Sequence, residues 1–293
     1  MTDHALPFIR RRAATREMSF TSPGAALARL LVLVLIAGFV LVPIVATSLG
    51  GLKTLGELRT NTLGLPNQWI WENYLDVISR PDVWRMLGNS LTIAIFTVLL
   101  TLAVAAPAAF AFAHLKFFGE QMLFNYLILG LTFPFATAIL PLFLKIRDLQ
   151  LLDTHWGIIL PQVAFGLAAS VLLMRNAFRH VPTELVEAAL IDGASYARIF
   201  WSIVLPLSLP IISTVAIITF VQSWNNYLLP LVVLNTPENY PWPLGLMQFQ
   251  SLYSTDWPKI LTYITITILP AITVFLLAQR YIIAGLTAGA MKS

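Results

Sequence analysis

Hydrophobic and polar positions along this chain are separated into long blocks. Six runs contain no Asp, Glu, Lys or Arg: Leu30–Leu49, Met86–Ala113, Gln121–Leu144, Trp156–Met174, Ile199–Pro237 and Ile260–Gln279. About 20 residues at a rise of ~1.5 Å cross a hydrocarbon core ~30 Å thick, so each run is long enough, or nearly so, for one spanning helix. Because a helix satisfies its own backbone hydrogen bonds in lipid, the pattern predicts an all-α, polytopic membrane protein with six transmembrane helices.

Features inside the runs predict where these helices end or bend. The fifth run is longer than one span requires, and Asn225, Asn226 and Pro230 predict that its helix ends near them. A proline removes a backbone donor, so each proline in or beside a run should bend its helix. These are Pro43, Pro107, Pro134, Pro141, Pro161, Pro206, Pro210 and Pro270.

The positions of Lys and Arg predict the orientation of the spans. Arg10, Arg11, Arg12 and Arg16 precede the first run, which is too long for the apolar segment of a signal peptide and is followed by further spans. With the N-terminus inside, eleven of the 18 Lys and Arg residues lie on the inner side. Basic residues favour the cytoplasmic side, so both termini are predicted to be cytoplasmic. The domain prediction is an N-terminal tail 1–25, a six-helix permease domain 26–285 and a C-terminal tail 286–293.

The composition argues against a soluble domain, a nucleic-acid-binding protein and a metal site. Charged residues make up 11% of the 293 residues, against roughly 25% in soluble domains, whereas 58% are hydrophobic. The basic residues are spread between the apolar runs and form no patch for nucleic acid. The chain has no cysteine, and His4, His114, His155 and His180 lie in the tail or at span ends without carboxylates at ligand spacing, so no metal site or cofactor is predicted.

The internal loop 181–206 is the most informative segment. Pro182 suits the first position of a helix, and Glu184 and Glu187 lie near its positive N-terminal end. Gly193 is a natural stop because glycine tolerates the left-handed conformation, and Ser195 can cap a second helix. The loop therefore predicts a short helix, a glycine turn and a second helix, with an apolar face that needs a protein surface to cover it.

The spacing in this loop resembles a known family signature. Glu187-Ala188-Ala189, then Gly193, then Ile203-Val204-Leu205-Pro206 is similar to the EAA signature of permeases of ATP-binding-cassette (ABC) importers. The resemblance implies a cytoplasmic coupling helix between the fourth and fifth spans that inserts into a cleft on an ATPase subunit. It assigns this contact to Glu187, Ala188, Ala189, Asp192, Gly193 and Ala194.

Other segments resemble the carbohydrate, or maltose-transporter, type of these permeases. They are Asn89-Ser90-Leu91, Leu151-Leu152-Asp153-Thr154, Trp224-Asn225 and the C-terminal run Gly285 to Lys292. The resemblance implies a multi-pass protein of the bacterial inner membrane that forms half of a path for a sugar-like solute. Its implied partners are a second permease, two ATP-binding subunits, an extracytoplasmic solute-binding protein and the surrounding lipid. No phosphate-binding Gly-rich motif is present, so the chain itself is predicted to have no catalytic residues and the partner subunits to hydrolyse ATP.

Polar side chains in or near the spans are candidates for the solute path. They are Gln162, Gln222, Trp224, Asn225 and Asn226, which can equally form hydrogen bonds between helices. Asn226 stands where the family often carries an acidic residue.

Three alternatives compete with a sugar importer. An ion-coupled secondary transporter usually needs ionisable residues within its spans, and the six runs have none. An intramembrane hydrolase needs an acid pair or a metal at membrane depth, which is also missing. An ABC permease for glycerol phosphate, a sulfonated sugar or a polyamine remains open.

Overall fold

The computed structural model describes residues 23–251 and 253–290. The predicted basic N-terminal residues Arg10, Arg11, Arg12 and Arg16, and the last residues of the C-terminal motif, Met291 and Lys292, lie outside the described residues.

The described residues are mainly helical, as predicted, and their one β-type contact is an isolated bridge between Gln250 and Thr255. The helices are α1 (Pro23–Gly50), α2 (Leu55–Thr60), α3 (Glu72–Ser79), α4 (Pro81–His114), α5 (Glu120–Leu129), α6 (Phe135–Asp148), α7 (Trp156–Phe178), α8 (Thr183–Ile191), α9 (Tyr196–Ile199), α10 (Leu205–Leu207), α11 (Leu209–Trp224), α12 (Leu228–Val233), α13 (Trp242–Gly245) and α14 (Trp257–Ala290).

Four of the described helices are long and apolar enough to cross a membrane: α1, α4, α7 and α14. Two further pairs pass the same test only when each bent pair is taken as one span, which gives between four and six spans. The first pair, α5 and α6, replaces the single helix expected over 121–144, and its two parts are bent by 103°. The bend falls at Pro134, one of the prolines predicted to bend their helices, where this residue and a 3-10 turn at Gly130–Thr132 interrupt the hydrogen-bond ladder.

The fifth run is bent as well. A π-helical turn, Phe200–Val204, joins α9 to α10, and the following helix α11 departs by 78° at Ser208. Ser208 lies between Pro206 and Pro210, the two prolines expected to bend this segment. Helix α11 ends at Trp224, directly before the asparagine pair predicted to end it. By contrast, Pro43, Pro107, Pro141, Pro161 and Pro270 lie inside continuous helices.

The core lies along α4, α7, α11 and α14, and its two ends carry different elements. One end, here the hairpin end, holds a cluster that includes Phe178, Val186 and Ile199. The opposite end, here the strap end, holds the starts of α4 and α14 and the end of α11 around Trp224 and Tyr263, with the start of α7 in a further cluster that includes Ile158. Helix α14 continues to Ala290 without a break at residue 285, so the predicted boundary of the C-terminal tail stays a prediction.

Candidate coupling hairpin and solute path

The segment from Pro182 to Ile199, here the hairpin, has the local structure that its sequence predicts. Helix α8 begins directly after Pro182 and ends at Ile191. Gly193 has a φ of +79°, its N–H donates to the carbonyl of Leu190 at 3.0 Å, and the N–H of Ala194 donates to that of Ala189 at 2.9 Å. These two bonds form a Schellman motif, which satisfies the last carbonyls of α8 and requires the left-handed conformation that glycine adopts without strain.

The second arm of the hairpin starts with a side-chain cap. The Oγ of Ser195 accepts the N–H of Arg198 at 3.3 Å, which satisfies one of the free donors at the start of α9. Because the glycine turn and the serine cap are two residues apart, α9 starts directly after the turn that ends α8. The turn therefore holds α8 and α9 close together.

One face of the hairpin anchors it to the protein core. Val186 is 7% exposed and belongs to the same buried cluster as Phe178, Val181, Ile199 and Phe200. This cluster includes residues before and after the hairpin, so both arms rest on the ends of α7 and the fifth run. Side-chain packing therefore connects α8 directly to these helices.

The opposite face of the hairpin is open. Glu187, Ala188, Asp192 and Gly193 are exposed, whereas Ala189 and Ala194 are half-buried. All six residues assigned to the ATPase contact thus lie on one short segment, and four of them are accessible from outside this chain.

Apolar side chains that the sequence analysis did not single out extend this face. Ile191 is 86% exposed, and Leu185, Leu190 and Tyr196 are each more than one third exposed. The sequence did contain a sign of this surface: Ile191 is an apolar residue at the predicted end of a helix, shortly before a glycine and in a loop outside the spans. Together with Glu187 and Asp192, these side chains give the hairpin a mixed apolar and acidic surface.

The candidate path residues fall into two places. Gln162 lies on α7, and its Oε1 accepts the Oγ1–H of Thr97 of α4 at 3.2 Å. Its buried Nε2 has no hydrogen-bond partner among the described residues. Gln222 and Asn225 are exposed at the end of α11, and Asn226 is half-buried there.

Trp224 differs from the other path candidates because its side chain lies in the core. It is 2% exposed, its ring stacks on Phe220 at 5.7 Å and it lies 6.3 Å from the ring of Trp242. The ring is therefore enclosed by its own chain in this structure, and a role for Trp224 in the path stays a prediction. Its packing holds the end of α11.

A comparison with protein families decides the class of this protein. The model of the inner membrane component of binding-protein-dependent transport systems matches residues 102–287, which is more than half of the chain. The chain belongs to this family. The match includes the hairpin and all five candidate path residues.

Similar proteins are named as permeases for sugars, which is the type of permease that the sequence predicts. The permease is 32% identical over 286 residues to the diacetylchitobiose uptake system permease protein of Streptomyces coelicolor, with 96% of this chain and 92% of that protein aligned. It is 33% identical to the arabinooligosaccharides transport system permease protein of Halalkalibacterium halodurans, over 88% of this chain and 93% of that protein. The predicted resemblance to ABC importer permeases of the carbohydrate type is thus confirmed.

Solved structures confirm the fold. A chain of a bacterial ABC transporter involved in the import of the acidic polysaccharide alginate matches the permease with a TM-score of 0.76 and 24% sequence identity. The match covers 90% of the permease and 98% of that chain. A chain of the methionine ABC transporter MetNI matches with a TM-score of 0.57 and 16% identity, over 71% and 99% of the two chains.

At the base of the hairpin, the permease contains an ionic junction that the sequence analysis did not identify. Arg175 lies in the last turn of α7 and is 5% exposed. Its Nε donates to the carbonyl of Phe112 at 2.9 Å, and its Cζ lies 3.8 Å from the ring centre of Phe124. Glu120 is 3.7 Å from Arg175 and 3.9 Å from Arg179. Arg175 therefore joins the end of α4, the start of α5 and its own helix directly behind the hairpin.

Proposed function

We propose that the chain is one of two permease subunits of an ABC importer in the bacterial inner membrane. Each bent pair counts as one span, which gives six spans with both termini and the hairpin in the cytoplasm. The second permease completes the solute path, two ATP-binding subunits hydrolyse ATP, and an extracytoplasmic binding protein delivers the solute. The hairpin inserts into the ATPase subunit and transmits its closure to the spans.

The observation that carries this proposal is the surface of the hairpin. Its exposed face combines Ile191 and Leu185 with the carboxylates of Glu187 and Asp192. Apolar anchors surrounded by polar groups are typical of a protein interface, and a face on cytoplasmic loops is not covered by lipid. The buried Val186 on the other face gives the required connection to the core.

The experiment is co-purification of the tagged permease with the products of its neighbouring genes from detergent. Glu187→Lys reverses a charge on the exposed face, and Gly193→Val places a β-branched side chain at a φ of +79°. Both variants should lose most of the ATPase subunit. Asp148→Lys is the matched charge control at the strap end, since its side chain is 59% exposed. Gly88→Val is the glycine control, because no atom lies within 4 Å of the added Cβ.

Two results of the co-purification decide between the hypotheses. ATPase retained by the controls and lost by the two hairpin variants supports the coupling role. A wild-type permease that accumulates as a stable protein with no ATPase bound contradicts the proposed function and reopens the ion-coupled transporter.

We further propose that the solute is a neutral oligosaccharide or a similar sugar. The relatives are named for diacetylchitobiose and arabinooligosaccharides. The path candidates other than Trp224 all carry amide side chains: Gln162, Gln222, Asn225 and Asn226. An amide offers both donors and acceptors, as sugar hydroxyls require, whereas glycerol phosphate or a polyamine would call for a compensating charge.

Competition in proteoliposomes tests the solute class. The assembled complex should import a labelled di- or trisaccharide, and excess unlabelled oligosaccharide should compete while glycerol phosphate and spermidine should not. Import that is blocked by glycerol phosphate or by spermidine contradicts the sugar assignment but not the ABC permease assignment.

A further inference from the structure

Three segments that resemble carbohydrate permeases contact one stretch of the chain. This stretch is residues 234–242, here the strap, which follows α12 at the strap end. Asn89 and Ser90 of α4, Asp153 before α7 and Trp224 of α11 all form hydrogen bonds to it. These contacts join segments up to 152 residues apart.

Asp153 makes the largest set of contacts. Its Oδ1 accepts the N–H groups of Asn235 and Thr236, both at 3.0 Å, and its Oδ2 accepts the hydroxyl of Thr236. Its own N–H donates to the carbonyl of Val233 at 3.0 Å, and its carbonyl accepts the amide of Asn239 at 2.8 Å. The Thr236 hydroxyl and the two N–H groups hold the pKa of Asp153 at about 2, well below its ordinary range.

The second set of contacts comes from α4 and α14. The amide of Asn89 donates to the carbonyls of Glu238 and Tyr240 at 2.8 and 3.0 Å. The hydroxyl of Ser90 accepts the N–H of Trp242 at 2.8 Å. On the other side, the hydroxyl of Tyr263 donates to the carbonyl of Trp242 at 2.8 Å.

The third contact joins the strap to the fifth span. The Nε1–H of Trp242 donates to the carbonyl of Trp224, the last residue of α11, at 2.7 Å. Helix α11 is bent by 78° from the segment before it, so its direction is not set by a continuous helix and depends on contacts such as this one. The next two residues are Asn225 and Asn226, which are candidates for the solute path.

We propose that the strap is a positioning element, with Asp153 as its main positioning residue, that fixes the external end of the fifth span and thereby the solute-facing amides. This inference rests on the proposed function. The bonds of Asp153 attach the strap to the segment just before α7. The Trp242–Trp224 contact attaches the other end of the strap to α11. A carboxylate that accepts several N–H and O–H groups holds a loop more firmly than neutral contacts do. Handover of solute, rather than attachment of the ATPase, therefore depends on Asp153.

A spin label tests the positioning directly. The natural chain contains no cysteine, so Leu228→Cys, at the start of α12 and 39% exposed, gives a single labelling site. Asp153→Asn keeps the side-chain shape but replaces one acceptor oxygen with an N–H₂ group that faces donors. The label should become more mobile in this variant and remain unchanged with Asp148→Asn, a neighbouring exposed carboxylate. Equal mobility in all three proteins overturns the inference.

Transport by the reconstituted complex gives the second readout. In Asp153→Asn, the amount of solute imported per ATP should fall by about twofold to thirtyfold, while the half-saturating concentration of loaded binding protein stays the same. A raised half-saturating concentration with normal solute per ATP overturns the inference, because it would make the strap a docking surface. Thr236→Val, which removes one donor and keeps the shape, replaces Asp153→Asn if that variant does not accumulate.

The two proposals fail differently. A wild-type complex that neither imports solute nor hydrolyses ATP on addition of loaded binding protein contradicts the proposed function. The spin-label measurement requires no partner subunit. Unchanged label mobility in Asp153→Asn, together with intact transport by the wild-type complex, therefore contradicts the positioning role alone.

Discussion

The hairpin at one end of the permease and the strap at the other are both short connections between helices, but their bonding differs. The hairpin is held by a helix cap, a glycine turn and one buried face, and it leaves Ile191 86% exposed. In the strap, backbone groups and side chains from 234 to 242 bond to α4, to Asp153 before α7, to α11 and to α14. A segment that must bind another subunit keeps apolar surface uncovered, whereas a segment that positions its own chain uses its bonding groups internally.

The difference also separates the kinds of damage that a substitution can do. Removing an exposed hairpin side chain should change binding and leave the fold unchanged. Removing a strap or junction side chain breaks hydrogen bonds or ion pairs within the chain itself, so it should lower the free energy of unfolding. Stability and partner affinity, measured on the same variants, therefore distinguish the two regions.

The largest expected effect is at the ionic junction behind the hairpin. Arg175→Gln should lower the free energy of unfolding by about 3 kcal/mol, because the change breaks a nearly buried ion pair and removes the contact with Phe124. The figure is at the low end for such pairs because Arg179 still lies 3.9 Å from Glu120. Denaturant unfolding in detergent measures it.

Arg147→Gln is the matched control for this prediction. Arg147 pairs with Asp148 at 3.0 Å, but both side chains are more than half exposed, so the loss should be below about 1 kcal/mol. Equal losses in the two variants would show that the junction behaves as an ordinary surface pair and does not tie α4, α5 and α7 together.

The next effect is on binding by the hairpin. Ile191→Ala should weaken ATPase binding by about 2 kcal/mol, or about thirtyfold, because an anchor at the centre of an interface is lost. Its free energy of unfolding should not change, since the side chain is 86% exposed. Titration of the ATPase subunit against labelled permease measures the affinity, and Leu149→Ala, 54% exposed at the strap end, is the control. Unchanged affinity in Ile191→Ala would remove Ile191 from the interface.

Sequence reasoning succeeded at the hairpin because the rules that shape it are local. Pro182, Gly193 and Ser195 lie within 14 residues and determine where one helix begins, where it ends and where the next begins. The charge-free runs likewise located the four continuous spans, because apolar length alone is needed for a helix in lipid.

The bends and the long-range contacts could not be predicted in the same way. Pro134 lies at a 103° break, whereas Pro107 lies inside a continuous helix, so the residue type alone does not distinguish them. Arg175 bonds to Phe112, 63 residues earlier, and a charge at the end of an apolar run is indistinguishable from an exposed loop residue. Asp153 stood out only by resemblance, since its partners lie 80 or more residues away.

A smaller effect is expected within the strap. Trp242→Phe keeps most of the ring packing against Trp224 but removes the Nε1–H bond to its carbonyl, so stability should fall by about 1 kcal/mol. Trp257→Phe, at a position 49% exposed, is the matched control and should have less effect. Detergent unfolding of both variants measures the difference, and a larger loss in Trp257→Phe would contradict the role given to the strap.

The smallest expected effect is that of pH on the strap. The pKa of Asp153 is lowered to about 2, so its stabilising contribution is complete above the ordinary value of 3.8 and is lost only as pH falls through 2. The spin label at residue 228 should therefore show the same mobility at pH 8 and pH 5.

Because His155 also contacts the strap, through the carbonyl of Asn239 at 3.2 Å, the measurement is made with His155→Gln present. Thr236→Val removes the largest cause of the lowered pKa, so in that variant loosening should begin nearer pH 3.8. A label that becomes more mobile between pH 8 and pH 5 in the His155→Gln protein would show that the Asp153 carboxylate does not hold the strap. The strap would then differ from the hairpin for some reason other than the charge of Asp153.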